Sequence, residues 1–250
     1  KEEAFFNNFS DTSELTRYRA DNNSFAIVSK EVDYGFSLYV YSASKKYMIL
    51  GESSVIGAMS IYDTATRTSY TLPGLPGFSS CAYDEVSKKL YVMISHVATD
   101  TEILIFSDAS GALSHISSTV VPPANLTAPG VGASNLGRAS IAIDGNTLYT
   151  LGSRLGKWDV SDPNNVTFLA ASSFTTAQNM SLINYGDYII IISVSQLRAA
   201  RKSDLTLLNT INRASPGTLH RLATLEEGQV LSLDNNRGAA RFKVSVQKVA

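Results

Sequence analysis

The stretch GNTLYTLGSRLGKWDVSDPNNV, residues 145–166, contains two short apolar segments separated by turns. The first segment is TLYTL at 147–151, and a turn containing Gly152 leads into the second, GKWDV at 156–160. Aromatic and β-branched residues are enriched in strands, whereas the Asp, Pro and Asn residues that follow are enriched in turns. The stretch therefore predicts two neighbouring antiparallel strands followed by a polar reversal.

Segments similar to the first strand recur along the chain. Aligning the copies by sequence places five positions together: Tyr47, Leu90, Thr147, Asp187 and Gln229. They are separated by 43, 57, 40 and 42 residues, and the long interval contains a Pro-, Gly- and Asn-rich stretch at 121–138 that predicts an inserted loop. Each copy has an apolar strand before the anchor, a third strand after it and, in most copies, a fourth. Four short strands in roughly 40 to 50 residues are typical of a β-propeller blade.

The expected fold is all-β, with an N-terminal extension at 1–23 and one five-bladed β-propeller at 24–250. The expected blades cover about 34–73, 78–120, 139–174, 178–213 and 217–247. The strand-like segment 25–30 has no partner of its own, so we expect it to close the ring by pairing with the last blade. The segment VSVQKV at 244–249 is the competing candidate for this closing strand.

Two other folds are also consistent with the sequence. The chain is also consistent with a fragment of a larger propeller, or with a pair of β-sandwiches, although sandwiches need no fixed recurrence of strands. Helical patterning is confined to the N-terminal stretch, where Asp11 and Glu14 have the spacing of a capping box and predict a short helix.

Residues 145–169 resemble an LVIVD-type β-propeller repeat, which is found in secreted and surface proteins. The matching positions are Gly145, Tyr149, Gly156, Trp158, Asp159, Val160, Ser161, Asp162 and Pro163. Weaker similarity occurs at 61–66 and 228–244, whereas the fourth copy has AARKSD at 199–204 in place of the aromatic residue and the Asp. The resemblance implies a propeller and a surface location, and it transfers no functional residue.

The composition excludes several classes of protein. Hydrophobic residues make up 44% of the chain and charged residues 17%, and the net charge is -1, so we expect no nucleic-acid partner. The longest apolar run, 188–194, is far shorter than the roughly 20 residues of a membrane-spanning helix. The single cysteine, Cys81, forms no internal disulfide, and its apolar neighbours predict a buried thiol.

The sequence favours an extracellular or cell-surface location. The chain begins at Lys1 without an apolar leader, which we interpret as a mature or trimmed product. N-x-S/T sequons, which are acceptor sites for N-glycosylation, occur at Asn8, Asn22, Asn125, Asn165 and Asn179.

Candidate catalytic and metal sites are absent from the sequence patterns. The three histidines occur in unlike settings, no G-x-S-x-G motif is present, and no His, Asp and Glu group has ligand spacing. We therefore expect no catalytic residue, no metal and no cofactor. Asp159 and Asp162 are interpreted as turn-forming residues whose carboxylates accept backbone N–H groups.

Small polar residues follow the second strand of every copy, and these turns gather on one face of a propeller. The predicted ligand-binding residues are Ser53, His96, Ser153, Ser193 and Asn235, with Arg154 and Arg237 beside them and Glu52 and Gln196 as further flanking residues. Such a ring at the channel mouth would bind a protein or a glycan.

Two functions are consistent with these patterns. The first is a secreted or cell-surface propeller that serves as a non-enzymatic binding or assembly module. The second is a propeller enzyme, a glycan hydrolase or lyase, whose catalytic residues lie on loops such as 121–138. The aromatic residues Phe5, Phe6 and Phe9 also predict self-assembly through residues 1–23.

Overall fold

A computed structural model describes residues 2–7, 14–21, 24–33, 38–43, 46–52, 59–72, 78–95, 101–122, 140–176, 181–192, 196–212, 219–224, 229–234 and 238–243. Every regular element in these ranges is a β-strand. No helix among the described residues has the length and apolar character that a bilayer crossing requires. By contacts within the chain, the molecule divides into two compact units, Lys1–Gly77 and Phe78–Ala250.

The described strands form six antiparallel sheets, numbered I to VI in chain order. Sheet I contains β1 (Glu2–Asn7), β2 (Glu14–Asp21) and β3 (Ser24–Asp33). Sheet II contains β4 (Leu38–Ala43), β5 (Tyr47–Glu52), β6 (Ser60–Asp63) and β7 (Ser69–Thr71). Sheet III contains β8 (Phe78–Asp84), β9 (Lys89–Ser95), β10 (Thr101–Ser107) and β11 (Ser114–Val121).

The remaining sheets have the same organisation. Sheet IV contains β12 (Ser140–Asp144), β13 (Thr147–Leu151), β14 (Leu155–Asp159) and β15 (Thr167–Ala171). Sheet V contains β16 (Ser181–Tyr185), β17 (Tyr188–Ile192), β18 (Gln196–Arg201) and β19 (Leu207–Asn212). Sheet VI contains β20 (Leu219–Thr224), β21 (Gln229–Asp234) and β22 (Gly238–Lys243).

Within each sheet the strands lie in chain order, and within each unit neighbouring sheets meet through their first strands. In the second unit β12 contacts both β8 and β16, and β16 contacts β20; in the first unit β1 contacts β4. Meandering sheets that stand side by side on their first strands are arranged as propeller blades are. Each of the five ranges expected to be a blade contains one of sheets II to VI.

The prediction for the N-terminal region needs correction. Residues 25–30 lie in β3, which pairs with β2, so this segment has a partner of its own where the sequence predicted none. Its expected role in closing the ring stays a prediction. Two strands, β1 and β2, lie within the expected extension at 1–23. Glu14 begins β2, so the expected helix is also wrong there: capping-box spacing is a local signal, whereas β2 is hydrogen-bonded to strands on both sides.

A repeated hydrogen bond joins the first strands of sheets III, IV and V. The backbone N–H of Ile141 in β12 donates to Ser80 Oγ in β8 at 3.2 Å. In the same way, the N–H of Leu182 in β16 donates to Ser140 Oγ in β12 at 3.1 Å. Each serine therefore satisfies a backbone group of the following sheet, which fixes neighbouring sheets relative to each other.

In the part of the second unit whose side chains are described, the core lies between sheets, and sheet IV buries both of its faces. Leu148 of β13 packs with Tyr91 of sheet III, whereas its neighbour Tyr149 packs with Ile189 of sheet V. Successive residues of a strand point to opposite faces, so β13 contributes to two cores at once. Cys81 is buried, as the sequence predicts.

The predicted turn-forming role of two acidic residues is confirmed. Asp159 Oδ1 accepts the N–H of Ser161 at 2.9 Å, and Asp162 Oδ1 accepts the N–H of Asn164 at 2.9 Å. Carboxylates in turns of other sheets do the same. These additional acceptors are Asp63, Asp84 and Asp204.

Candidate functional site

A cleft of about 440 Å³ lies between sheets IV and V. Both sheets contribute to its wall, and most of the lining side chains are polar or charged. From sheet IV the lining residues are Asp144, Tyr149 and Lys157. From sheet V and its turns they are Gly186, Asp187, Tyr188, Arg201, Lys202 and Ser203. The cleft lies at the rim formed by the turns that follow the first and third strands of these sheets.

Two equivalent glycine turns form part of this rim. Gly145 follows β12 with φ of +54°, and Gly186 follows β16 with φ of +51°. Glycine adopts this left-handed conformation without the steric cost that a Cβ would add. The tight turns put Asp144 directly before one glycine and Asp187 directly after the other, so that a carboxylate from each sheet borders the cleft.

Two lysines cross the cleft in opposite directions. Lys202 of sheet V binds Asp144 of sheet IV, with 2.7 Å between Nζ and Oδ2. Lys157 of sheet IV donates from Nζ to the carbonyl oxygens of Lys202 at 3.0 Å and Ser203 at 3.5 Å. Because each lysine links its own sheet to the other one, the cleft is held in a defined shape at this rim.

Tyr149 is a hydrogen-bond donor at neutral pH. Burial, and after it the negative charge of Asp144, raise the pKa of its phenol to about 12. Tyr91, which occupies the equivalent position in sheet III, has its pKa raised to about 12 by burial and by the charge of Asp84, against a smaller opposing effect of the Ser87 hydrogen bond. A phenol with this pKa stays protonated near pH 7 and does not serve as a base there.

Several polar groups at the cleft are open to a ligand. Asp187 and Ser203 are exposed, and within the described residues neither side chain has a hydrogen-bond partner. Arg201 forms an exposed ion pair with Asp204 at 3.1 Å, and a guanidinium keeps further N–H donors beside such a single contact. The cleft therefore offers an acceptor, several donors and the rings of Tyr149 and Tyr188. The described side chains include no group of three metal-ligating residues.

The structure describes two of the predicted binding residues, and both participate in a local network. The carbonyl of Ser153 accepts the N–H of Thr176 at 2.8 Å, and Arg154 Nε donates to the carbonyl of Ser172 at 2.8 Å. These bonds tie the turn after β13 to the segment that follows β15. Gln196 lies in β18 and accepts two hydrogen bonds from Arg198.

Other predicted positions are outside the part that the structure describes. They are Ser53, His96, Ser193, Asn235 and Arg237, together with most of the loop at 121–138. Among the sequons, Asn165 is described and exposed in the turn before β15. Asn8, Asn22, Asn125 and Asn179 are not described.

Sequence reasoning missed the cleft between sheets IV and V. A signal was present, because Asp-Gly at 144–145 and Gly-Asp at 186–187 occur at equivalent turns. The sequence does not show that Lys157 and Lys202 reach across to the neighbouring sheet, since these contacts join residues more than 40 positions apart.

Two solved structures are similar to this chain. A chain of a nidogen/laminin complex superimposes with a TM-score of 0.62 and 9% sequence identity, covering 97% of this chain and 89% of that one. A chain of a mitotic checkpoint complex gives a TM-score of 0.54 and 14% identity, covering 93% of this chain and 70% of that one. Both are β-propeller proteins. The chain has a β-propeller fold.

The propeller comparison rests on structure alone. No family model matches the chain, and no curated protein matches it in sequence. The resemblance of residues 145–169 to the LVIVD-type repeat is therefore confirmed only as far as the propeller fold.

Proposed function

We propose that this propeller is a secreted or cell-surface binding module without enzymatic activity, and that the cleft between sheets IV and V contacts its partner. The observation that carries the proposal is the pair of lysine contacts across the cleft, the ion pair of Lys202 and the hydrogen bond of Lys157. They hold the two sheets together while Asp187 and Ser203 stay exposed. A site of fixed shape with unused polar groups binds at a lower entropic cost than one that must first be ordered.

The use of the acidic residues supports binding over catalysis. Glycan hydrolysis requires a pair of carboxylates that flank the bond to be broken. In the described part of the chain, five aspartates accept backbone N–H groups in their own turns. Of the two carboxylates that line the cleft, Asp144 is paired with Lys202, which leaves Asp187 alone. Tyr149 beside them stays protonated, because its pKa is raised to about 12.

The two similar chains support a role in protein complexes. One belongs to a nidogen/laminin complex and the other to a mitotic checkpoint complex. We propose a protein as the first candidate partner and a glycan as the second. The polar ring predicted from the sequence, Ser53, His96, Ser153, Arg154, Ser193, Asn235 and Arg237, stays a proposal for a second contact face.

The extracellular location and the number of blades belong to the same proposal. The exposed Asn165 in the sequon Asn-Val-Thr supports glycosylation in a secretory pathway. Asn8, Asn22, Asn125 and Asn179 are the other proposed glycosylation sites.

We propose one blade per sheet, which makes six where the repeat in the sequence predicted five.

The experiment that tests this function is a binding survey with the full chain. The full chain is applied to an array of secreted proteins and to a glycan array. The same arrays are then probed with the Asp187→Lys variant and with the Val86→Lys variant. Val86 lies in a turn of sheet III and is 93% exposed, so its variant places the same lysine side chain in a turn outside the cleft. Its charge changes by +1, where Asp187→Lys changes the charge by +2.

We expect at least one ligand whose affinity falls about tenfold with Asp187→Lys and is unchanged with Val86→Lys. A ligand that is insensitive to Asp187→Lys contradicts a role for the cleft. Release of reducing sugar from a bound glycan, or elimination that leaves an unsaturated sugar, contradicts the non-enzymatic function and favours the propeller enzyme with catalytic residues on loops such as 121–138.

A further inference from the structure

Two arginines hold one short segment, residues 172–176, at the rim of sheets IV and V that lies opposite the cleft. This opposite rim is formed by the turns after the second strands and by the segment that leads from β15 to β16. Arg154, in the turn between β13 and β14, donates from Nε to the carbonyl of Ser172 at 2.8 Å. Arg198 of β18 donates from Nη1 to the carbonyl of Thr175 at 2.6 Å. Three residues of chain span at most about 11 Å, so the two guanidiniums flank the same stretch.

Both guanidiniums keep N–H donors that no group in the described part of the chain uses. A guanidinium has five N–H donors. Arg154 uses one of them, and Arg198 uses three, two of which go to Gln196 Oε1 at 3.0 and 2.6 Å. All of these acceptors are neutral oxygens, and neither arginine forms an ion pair with a described carboxylate. Both side chains are half-buried, where a positive charge without a counter-charge is unfavourable.

The acidic residues of sheets IV and V are confined to the rim of the cleft. In the described ranges of these two sheets, every carboxylate lies in or beside a turn that follows a first or a third strand. These residues are Asp144, Asp159, Asp162, Asp187 and Asp204. The segments that connect β13 to β14, β15 to β16 and β17 to β18 contain no Asp or Glu in the sequence. The two arginines therefore create a positive potential at the opposite rim.

The segment between the arginines is ordered and carries exposed hydroxyl groups. Thr176 donates from Oγ1 to the carbonyl of Gly152 at 2.6 Å and from its N–H to the carbonyl of Ser153 at 2.8 Å. Ser173 and Thr175 are exposed, and neither hydroxyl has a hydrogen-bond partner among the described residues. A ligand at this rim therefore meets donors that are already in place, which lowers the entropic cost of binding.

We propose that the arginine pair, Arg154 and Arg198, binds an extended acidic segment of a protein partner through two of its carboxylates. A guanidinium fork matches the geometry of a carboxylate. In an extended segment, acidic residues at alternate positions present their carboxylates on the same side. This inference rests on the second contact face proposed above and is independent of the cleft.

The number of cations favours a peptide over a sulfated glycan. A polyanion is attracted most strongly by a row of basic residues. The other described cations of sheets IV and V line the cleft, and they are Lys157, Arg201 and Lys202. The opposite rim thus offers two separate guanidiniums from the described residues, on a chain whose net charge is -1. Two discrete carboxylates satisfy such a pair.

Fluorescence anisotropy of a labelled peptide with the full chain at low ionic strength tests the proposal. The probe contains Glu-Ser-Glu within a Gly-Ser background, and a peptide with Gln-Ser-Gln is its uncharged counterpart. We expect the acidic peptide to bind about tenfold more tightly than the uncharged one, and Arg154→Gln and Arg198→Gln each to remove about tenfold of its affinity. Arg201→Gln, which removes the same charge at the cleft rim, should leave the affinity unchanged.

Thr176→Val separates ligand binding from support of the segment. This substitution removes the hydrogen bond to the carbonyl of Gly152 and loosens the same segment, but it keeps both guanidiniums, so peptide affinity should be unchanged. An equal loss of affinity in Thr176→Val and Arg154→Gln would mean that the arginine acts only by holding the segment, and it overturns the proposal.

Other results also overturn the proposal. They are equal binding of the two peptides, no binding at near-millimolar peptide, and an equal loss of affinity in Arg201→Gln. A sulfated oligosaccharide that binds through the same arginines while the acidic peptide does not bind overturns the protein segment as the ligand.

The cleft is tested separately. Asp187→Lys alters the cleft and should leave peptide affinity unchanged, so that failure of the cleft and failure of the arginine pair give different results.

Discussion

The interface between sheets III and IV and the interface between sheets IV and V have the same backbone plan and different fillings. Trp158 of β14 lies opposite Leu148 and packs into the first interface, and the equivalent position in sheet V, opposite Ile189, is Ala200. Trp158 contacts Phe168 edge to face at 4.9 Å and donates from Nε1 to Thr150 Oγ1 at 2.9 Å. Ala200 supplies far less volume to the second interface.

The side-chain volume at one repeat position separates a filled interface from one that contains a cleft. Where a tryptophan fills the space between two sheets, the rim is closed further by a hydrogen bond from Ser117 Oγ to the carbonyl of Pro163. Where an alanine replaces it, Lys157, Lys202 and Asp144 link the two sheets at the rim beside an open cleft. A change of side-chain volume at one repeat position accompanies this change from an apolar contact to a polar cleft.

The largest expected effect is at the filled interface. Trp158→Ala removes a buried indole and leaves both a cavity and an unpaired Thr150 hydroxyl, so we expect the free energy of unfolding to fall by about 3–5 kcal/mol. Urea or guanidinium denaturation measures it, with Leu169→Ala as the exposed control. A loss below about 1 kcal/mol would show that Trp158 is not the main filler of this interface.

Alkaline titration compares the equivalent tyrosines of the two interfaces. The pKa values of Tyr91 and Tyr149 are both raised to about 12 in the folded chain, above the ordinary value of 10.0. The neutral phenol is the form that folding favours, so this stability is complete below pH about 10 and is lost as the pH rises through about 12. Two pKa units correspond to about 2–3 kcal/mol per tyrosine.

Absorbance at the phenolate band follows each tyrosine, with Tyr91→Phe and Tyr149→Phe to assign the transitions. Removing a negative neighbour eases ionisation, so Asp144→Asn should lower the pKa of Tyr149 and leave that of Tyr91 unchanged. Asp84→Asn should do the reverse. Equal responses of both tyrosines to either substitution would contradict the assignment of the neighbours.

The hydrogen bonds from a backbone N–H to a serine Oγ between first strands should contribute similarly to stability in both interfaces, because the same bond is repeated. Ser80→Ala leaves the N–H of Ile141 without its acceptor, and Ser140→Ala does so for Leu182. We expect each substitution to cost about 1–2 kcal/mol of unfolding free energy. Hydrogen exchange at Ile141 and Leu182 reports the bond directly, and unchanged protection at either amide would contradict its role.

The smallest expected effect is at the rim of the open interface. Lys202→Met breaks the pair with Asp144, but the lysine and aspartate side chains are 12% and 47% exposed, so solvent screens much of the interaction. We expect a loss of about 0.5–1 kcal/mol that decreases with added salt. Arg201→Met, which breaks the exposed pair with Asp204, is the control and should change stability less.

A double-mutant cycle of Lys202→Met with Asp144→Asn isolates the pair from other effects of each substitution. A coupling free energy of zero would mean that the bridge does not hold the cleft. The proposed binding function would then lose its main support, even if the fold is unchanged.

The repeat could be predicted from local patterns, and the features that sequence reasoning missed depend on contacts distant in sequence. Strands and turns follow short-range rules, so the anchor positions located sheets II to VI, and the turn-forming roles of Asp159 and Asp162 were predicted correctly. Sheet I was missed because the charges of ELTRYRAD in β2 obscure its alternation. A serine recurs in the first strands of the sequence. Its role is visible only in the structure, where Ser80 Oγ accepts a backbone N–H of the next sheet.

Residue order alone was sufficient for the class of fold, because backbone hydrogen bonding and the period-two exposure of strands leave their mark within a few neighbouring residues. The position of the cleft depends on packing between sheets. Trp158 and Ala200 occupy equivalent positions, and Lys202 contacts Asp144, which is 58 residues away in the chain. Side-chain volume and charge at such positions act only between sheets, so their consequence depends on what lies opposite in three dimensions.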